Sequence, residues 1–323
     1  MIIDEKILKE LYANGCDVKK DEPMKNHTNF RIGGATPYMF FPRTKSSFIY
    51  TLRILKKNNI RYRVIGGGAN LIVKDEKLDF VVISTKYLSN ISLRNEDIIK
   101  YLLMENTELM DIGFKDEEIY AETGVPISRV SSWAAEEELS GLEFASGIPG
   151  TVGGAIFMNA GAYEGEMKDV VKSVEVYDEY NDNIIIISNE NLDFSYRHSI
   201  LQDKNYIVLS VIFKLEKKSK NEIFNKIKEL SKKRWNRQPL DMPSAGSIFK
   251  RPRKDFYVGT TIEKLGLKGF TLGDAMVSEK HAGFIVNKGN ATFKEVMNVI
   301  LEVKKIVKEK YDTDLEIEPE IWN

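Results

Sequence analysis

A chain of 323 residues exceeds the span over which a single hydrophobic core usually keeps growing, so two or three domains are expected. Its 42% hydrophobic and 29% charged residues are ordinary for a globular protein and argue against disorder. Lysine plus arginine, 47, nearly cancel aspartate plus glutamate, 48, which leaves no basic excess of the kind a nucleic-acid binder carries.

The chain opens with MIIDEKILKE, which lacks the basic region and apolar run of a signal peptide. Cys16 is its only cysteine, so no intrachain disulfide and no CxxC motif is possible. Ser46 to Asn58 reads as an amphipathic helix with Phe48, Ile49, Leu52 and Leu55 on one face. Short apolar runs at Arg63–Ile65, Leu71–Val73 and Phe80–Ser84, punctuated by glycines, read as strand–turn–strand. The polar stretch Leu93 to Glu118 reads as an elaborated loop with a short helix around Ile98 to Met104. Ile127 to Glu138 reads as a helix, and Lys172–Tyr177, Ile184–Ile187 and Tyr206–Leu215 as strands. The longest aliphatic run, Ile184 to Ile187, is far too short to span a bilayer of about 30 Å. A cytoplasmic monomer without membrane or nucleic-acid partners is expected.

The character changes after Leu215, and a domain boundary is placed near residue 216. Ser219 and Glu222 suit a capping box that opens a helix carrying Ile223, Phe224, Ile227 and Leu230, ending in the basic KKRW of Lys232 to Trp235. A loop with Pro239, Pro243 and Pro252 follows. Thr292 and Glu295 suit a second capping box, and Phe293, Val296, Ile300, Val303 and Val307 recur at helical spacing. The closing alternation Leu315–Ile317 and Ile321 suggests a strand that returns to an earlier sheet.

Three glycine-rich stretches bear on chemistry: Phe30–Ala35, Ile65–Asn70 and Gly147–Ala155. Glycine admits positive φ and lets a ligand approach the main-chain N–H groups, which in such turns form concave anion sites. The third stretch also opens a helix, whose N-terminus favours negative charge. Each alone is equally well read as a tight turn; three in one domain-sized stretch favour a pyrophosphate. None is a GxGxxG after the first strand of a βαβ unit, and no GxxxxGK[ST] occurs, so neither a Rossmann domain nor a P-loop is indicated. The histidines His27, His198 and His281 match no metal-ligand spacing, and no metal is expected. Arg197, in a loop between predicted strands, suits a carboxylate, because a guanidinium binds one bidentately and stays charged. Pro243–Pro252 presents two hydroxyls in a small-residue loop followed by two cations, and Glu318–Pro319–Glu320 sets carboxylates beside the last strand. Each has a plain alternative: a solvated arginine, an ordinary turn, a charged tail.

In order, NHTNFRIGG, IGGGAN, SGLEFASGIPGTVGGAIFMNAGAY, YRHS, PSAGSIFKRP, VSEKHAGFIVN and EPEI resemble the UDP-N-acetylenolpyruvoylglucosamine reductase family, which makes UDP-N-acetylmuramate for the cell wall. The resemblance runs from about residue 24 onward. It is to the shorter type, since YRHS leads into a strand without the long tyrosine-bearing insertion. It implies an α+β fold: a two-part FAD-binding domain of the vanillyl-alcohol-oxidase type plus a C-terminal α+β substrate domain. The implied parts are residues 1–92 joined by 311–323, then 93–216, then 217–310.

By the same resemblance FAD, held non-covalently, takes hydride from NADPH and delivers it to C3 of the enolpyruvyl ether, while Ser247 gives a proton to C2. Arg197, Ser247 and Glu320 align with the catalytic positions. Arg31, Gly33, Gly66, Gly67, Gly68, Ala69, Asn70, Gly147, Ile148, Gly150, Thr151, Gly153 and Gly154 align with cofactor contacts, and Tyr196, Lys250 and Arg251 with substrate contacts. Three departures stand out: the length of 93–118, Ala69 where a serine is common, and a final Trp322–Asn323 in place of a basic-aliphatic ending. Two other classes stay open: another FAD-linked oxidase of the superfamily acting on a sugar or alcohol, and a non-catalytic flavin or nucleotide-sugar module.

Overall fold

The computed structural model describes residues 2–93 and 117–323; the expected short helix at 98–104 and all but the ends of the expected loop Leu93–Glu118 lie outside them, and Glu118 opens a strand. In the first lobe, strand Cys16–Pro23 runs antiparallel to Ala35–Pro42, which lies parallel to Val81–Ser84, itself parallel to Tyr62–Ile65. Both faces of this sheet are covered, so its inner strands read as nearly unbroken apolar runs instead of alternating ones. Tyr38, Phe40, Val81 and Ile83 face helix Lys45–Lys57, which buries the expected Phe48, Ile49, Leu52 and Leu55. Thr44 and Ser47 cap that helix reciprocally. Met39, Phe41 and Val82 face the opposite way, toward Leu71, Val73 and Trp322.

The strands at Tyr62–Ile65 and Leu71–Val73 form where expected, yet they do not pair with each other. Among the described residues, Leu71–Val73 pairs only with Glu320–Trp322, in parallel, the expected returning strand. The intervening Gly66–Asn70 closes no hairpin because it is spread against the second lobe, where Gly67 abuts Gly150.

The second lobe is an antiparallel sheet ordered Asn183–Ser188, Val171–Asp178, Tyr206–Lys214, Glu118–Glu122, Ile91–Ser92. Helices Ile127–Glu136 and Val152–Phe157 bury Val130, Ala134, Val152 and Ile156 against Ile119, Val174, Val211 and Phe213. A buried ion pair pins the first lobe to this sheet: Lys45 Nζ lies 2.6 Å from Glu175 Oε2, which also accepts from Ser210 Oγ at 2.5 Å.

Helix Lys220–Arg237 outruns its expected end at Trp235. Ser219 accepts from the Glu222 N–H, but Ser219 Oγ also donates to the Glu222 carboxylate at 2.7 Å, so only half of the expected box forms. The third lobe is a four-stranded sheet, Ser244–Ser247, Phe284–Asn287, Ala275–Val277, Thr271–Leu272, covered by helix Phe293–Tyr311. That helix has the full Thr292–Glu295 box and buries Val296, Ile300, Val303 and Val307. Residues 244–247, expected as part of a loop, form the edge strand, with a bulge where Gly246 takes φ +78°. Its small side chains carry no two-residue apolar period, so the strand left no sequence signal.

Candidate functional site

Two of the glycine stretches meet. A Cβ on Gly67 would lie 2.9 Å from Gly150 Cα, and one on Gly66 would overlap the Thr151 hydroxyl. Gly68 holds φ +60°, and a side chain there would strike the His27 carbonyl, so glycine is required twice over. Across this seam Gly150 faces Ala69, with φ +110°. The N–H groups of Gly66, Gly67, Gly68, Ala69 and Asn70 donate to no acceptor among the described residues. Five open donors on one loop are what a diphosphate needs; the short helix after Thr151 adds no such donors at its start, because Val152 N and Gly153 N already donate to Val125 O and Thr123 O.

The remaining cofactor candidates divide. Ile148 is half-buried against the second core, and Gly154 is exposed at the helix start. Gly153 donates to the Thr123 carbonyl at 2.9 Å and packs where its Cβ would meet the Thr123 hydroxyl, so it seats the helix on the sheet. Gly33 packs on Val73, 2.8 Å from where its Cβ would stand, and Arg31 is exposed at φ +58°. Both lie in the segment that links the first two strands.

The YRHS segment is a tight turn. Ser195 and His198 bond each other's backbone at 3.1 and 3.2 Å, which puts Tyr196 and Arg197 at the tip, Arg197 with φ +57°. Buried Ser199 anchors the turn through the Phe157 carbonyl at 2.8 Å, and Asn159 Nδ2 reaches Ser195 O at 3.0 Å. His198 turns aside to Asp203 at 3.1 Å; with Asp193 these groups converge within 4.8 Å on an exposed face.

Residues 316–320 are stitched between the lobes. Lys250 N donates to Glu316 O at 2.9 Å and Glu318 N to Ile248 O at 2.8 Å, while Glu320 N donates to Asn70 O at 3.0 Å. Asn70 Nδ2 in turn reaches Glu318 O at 3.2 Å. One asparagine thus ties the glycine loop to the returning chain. The segment passes directly beside Ser247, which precedes Ile248 on the edge strand and stays partly open. Tyr196 joins the same place: its hydroxyl accepts from Arg251 N at 3.2 Å, and its ring lies 5.1 Å from the Arg197 guanidinium. Lys250 pairs with Glu316 at 2.5 Å.

The two carboxylates of the EPE motif separate. Glu318 Oε1 accepts from Arg197 Nε at 2.7 Å, and its side chain is 12% exposed. Burial pushes its carboxyl above the ordinary range, opposed by Arg197 and Lys250. Glu320 Oε1 instead accepts from Arg63 Nη1 at 2.6 Å and from Trp322 Nε1 at 2.8 Å, and is 53% exposed. The structure therefore unites Arg197, Tyr196, Arg251 and the Ser247 strand, with Glu320 one residue pair further along, against the glycine loop.

Sequence reasoning missed Glu318, Arg63 and Arg234. The doubled acid of EPE pointed to the first, since either carboxylate suits a returning strand. Arg63 stood inside a segment read only as a strand. Arg234 Nε is buried with no hydrogen-bond partner among the described residues, and its side chain lies 2.8 Å from where a Gly147 Cβ would stand. A buried, unpaired donor of positive charge beside the glycine loop adds to its fit for an anion. Arg234 was hidden in a run read as a basic helix end.

Residues 238–322 match the family model described as UDP-N-acetylenolpyruvoylglucosamine reductase, C-terminal domain, and residues 36–187 match that of the FAD binding domain. The UDP-N-acetylenolpyruvoylglucosamine reductase of Petrotoga mobilis is 50% identical over 321 residues, 99% of this chain and 100% of its own length. That of Fervidobacterium nodosum is 44% identical over 321 residues, 99% of this chain and 96% of its own. The solved UDP-N-acetylenolpyruvylglucosamine reductase of Thermus caldophilus superposes with a TM-score of 0.77 at 31% identity, across 95% of this chain and 100% of the other.

Proposed function

The chain belongs to the UDP-N-acetylenolpyruvoylglucosamine reductase family, and from that premise we propose that Arg197, Ser247 and Glu320 carry its reaction at the seam between the glycine loops and residues 316–320. It is an FAD-dependent oxidoreductase with NADPH as reductant, and it reduces UDP-N-acetylglucosamine enolpyruvate in peptidoglycan synthesis. The fold is the two-part FAD-binding domain with a C-terminal α+β domain that the resemblance implied. We assign cofactor binding to residues 1–92 with 311–323 and to 93–216, and substrate binding to 217–310.

The observation that carries the site assignment is Arg197 at the tip of its turn, partly exposed, within reach of the strand that ends at Ser247. The open donors of Gly66–Asn70, with Gly147, Gly150 and Thr151 opposite, support a seat for the FAD diphosphate. When bound, reduced FAD supplies the hydride for C3 of the enolpyruvyl group. The residues then manage charge and proton. Negative charge grows on C2 and the substrate carboxylate, and a fixed guanidinium stabilises it as it develops, an effect of several kcal/mol in comparable sites. Ser247 Oγ gives its proton to C2. Such a weak acid suffices because the carbon is itself strongly basic. Glu320 assists as the nearby carboxylate, and Tyr196, Lys250 and Arg251 hold the rest of the nucleotide sugar.

No helix among the described residues is long and apolar enough to cross a membrane. We propose a cytoplasmic monomer that holds FAD without a covalent bond. The purified protein should be yellow and release FAD on acid denaturation. NADPH consumption should depend on added UDP-N-acetylglucosamine enolpyruvate. NADPH oxidation that proceeds equally without it, at the expense of oxygen, would support an oxidase instead.

A further inference from the structure

We propose that Glu318 aims Arg197, and that it takes up a proton when the substrate's carboxylate docks on that guanidinium. The inference rests on Arg197 meeting the substrate carboxylate. Glu318 is fixed from two lobes, its N–H on Ile248 O and its carbonyl under Asn70 Nδ2. Its side chain bonds Arg197 through Nε alone. Nothing among the described residues accepts from the two Nη groups of Arg197. The end-on fork of the guanidinium is therefore open, and it is the part that grips a carboxylate with two parallel bonds. A residue held through Nε keeps the plane of that fork fixed. Without such a hold, a long side chain on a turn with φ +57° keeps, among the described residues, only the Tyr196 ring at 5.1 Å, which accepts no hydrogen bond along the fork's plane and leaves its orientation free.

The same geometry sets two carboxylates on one cation once substrate arrives. The charged and titratable groups around Glu318 are few. Arg197 and Lys250 are its cations, and Lys250 is also paired with Glu316. Glu316 and Glu320 lie on its own segment, and Glu320 is turned to Arg63. The Tyr196 ring lies against the Arg197 guanidinium, 5.1 Å away. Burial already opposes the charged form of Glu318. A second anion on Arg197 weakens what remains to favour it, because two carboxylates sharing a site cannot both stay ionised cheaply. A proton from solvent then neutralises Glu318, and the guanidinium's charge is left to the substrate carboxylate, where the reaction increases negative charge.

The test is calorimetric titration of the FAD-loaded, oxidised protein with UDP-N-acetylglucosamine enolpyruvate, in two buffers of different ionisation enthalpy between about pH 7 and 8. The expected result is uptake of about one proton per substrate bound. It should vanish in Glu318→Gln, whose amide oxygen still accepts from Arg197 Nε, and persist in Glu320→Gln. A purely structural role would alter stability and leave the proton count unchanged. Binding with no uptake in the parent, or with equal uptake in Glu318→Gln, overturns the inference. No binding heat in either buffer would instead overturn the substrate reading of the site. Glu318→Ala, which removes the hold on Nε, should lower kcat more than tenfold and change flavin content little; unchanged kcat would remove the aiming role.

Discussion

Arg197 and Glu318 stand 121 positions apart in sequence and 2.7 Å apart in space, and their bond uses the one guanidinium nitrogen that leaves the planar end free. Arg197→Lys keeps the charge but has neither the Nε bond nor the fork. Turnover of the enolpyruvyl substrate should fall about 100-fold or more, the scale of losing one preorganised donor to developing charge. Reduction of the flavin by NADPH should change far less. Equal damage to both half-reactions in stopped-flow absorbance would make Arg197 a structural residue.

Ser247 stands at the end of the edge strand, beside the bond from Glu318 N–H to Ile248 O. Ser247→Ala should bind FAD and accept electrons from NADPH at nearly the parent rate. Its reoxidation by substrate should slow by on the order of 10²- to 10⁴-fold, the span of general acid catalysis. Ser247→Cys should lose less, since a thiol is the stronger acid. Should Ser244→Ala show that defect while Ser247→Ala does not, the proton comes from Ser244.

Glu320 shares Oε1 between Arg63 and Trp322. If its carboxylate acts on substrate, Glu320→Gln should reduce turnover by roughly 10²-fold at full FAD occupancy. Arg63→Met should then alter turnover only modestly, because it frees the carboxylate. A Gln variant with normal turnover would leave Glu320 a solvated ion pair.

The raised pKa of Glu318 has a sign that stability measurements can read. Between its ordinary value of 4.5 and the raised folded value, the native state binds more protons than the unfolded one. Stability therefore falls as pH rises through that window, the reverse of a salt-bridged aspartate. Glu318→Gln should lose this decline. In denaturant titrations its stability relative to the parent should increase from pH 4.5 toward pH 8. A pH-independent difference would contradict the raised value.

Lys45 and Glu175 form a buried pair between lobes, their side chains 11% and 6% exposed. Lys45→Met leaves the Glu175 charge without that cation. The loss should be about 3–5 kcal/mol, as for other broken buried pairs. Lys45→Met combined with Glu175→Leu should recover much of it, because the desolvation of both charges disappears together. Urea unfolding of the three variants, each saturated with FAD, decides this.

Legibility followed periodicity and motif specificity. The helix after Thr44 was readable from its 3.6-residue apolar stripe, and the one after Thr292 because a capping pair and such a stripe agreed. The strand at Ser244–Ser247 was not, since its residues are small and a bulge breaks its register. Pairing was less legible than presence. Tyr62–Ile65 and Leu71–Val73 were seen as strands, but no local signal states that one joins Val81–Ser84 and the other residues 320–322. At the site, Arg197 and Ser247 were reached by motif. Glu318 was passed over because a doubled acid gives no sign of which carboxylate faces inward; only the two backbone bonds that clamp residue 318 decide it.

Trp322 fills the far core of the first lobe, edge-on to Phe80 at 5.4 Å, and its strand is the sole partner of Leu71–Val73 among the described residues. A chain short of residue 320 therefore lacks an indole-sized part of that core and the partner of the strand directly after the glycine loop. Pairing across some 250 residues of chain is slow to form. Until residue 322 emerges, Leu71–Val73 offers its open backbone to any neighbour. The last strand to be made is thus the one that guards the strand beside the glycine loop against mispairing.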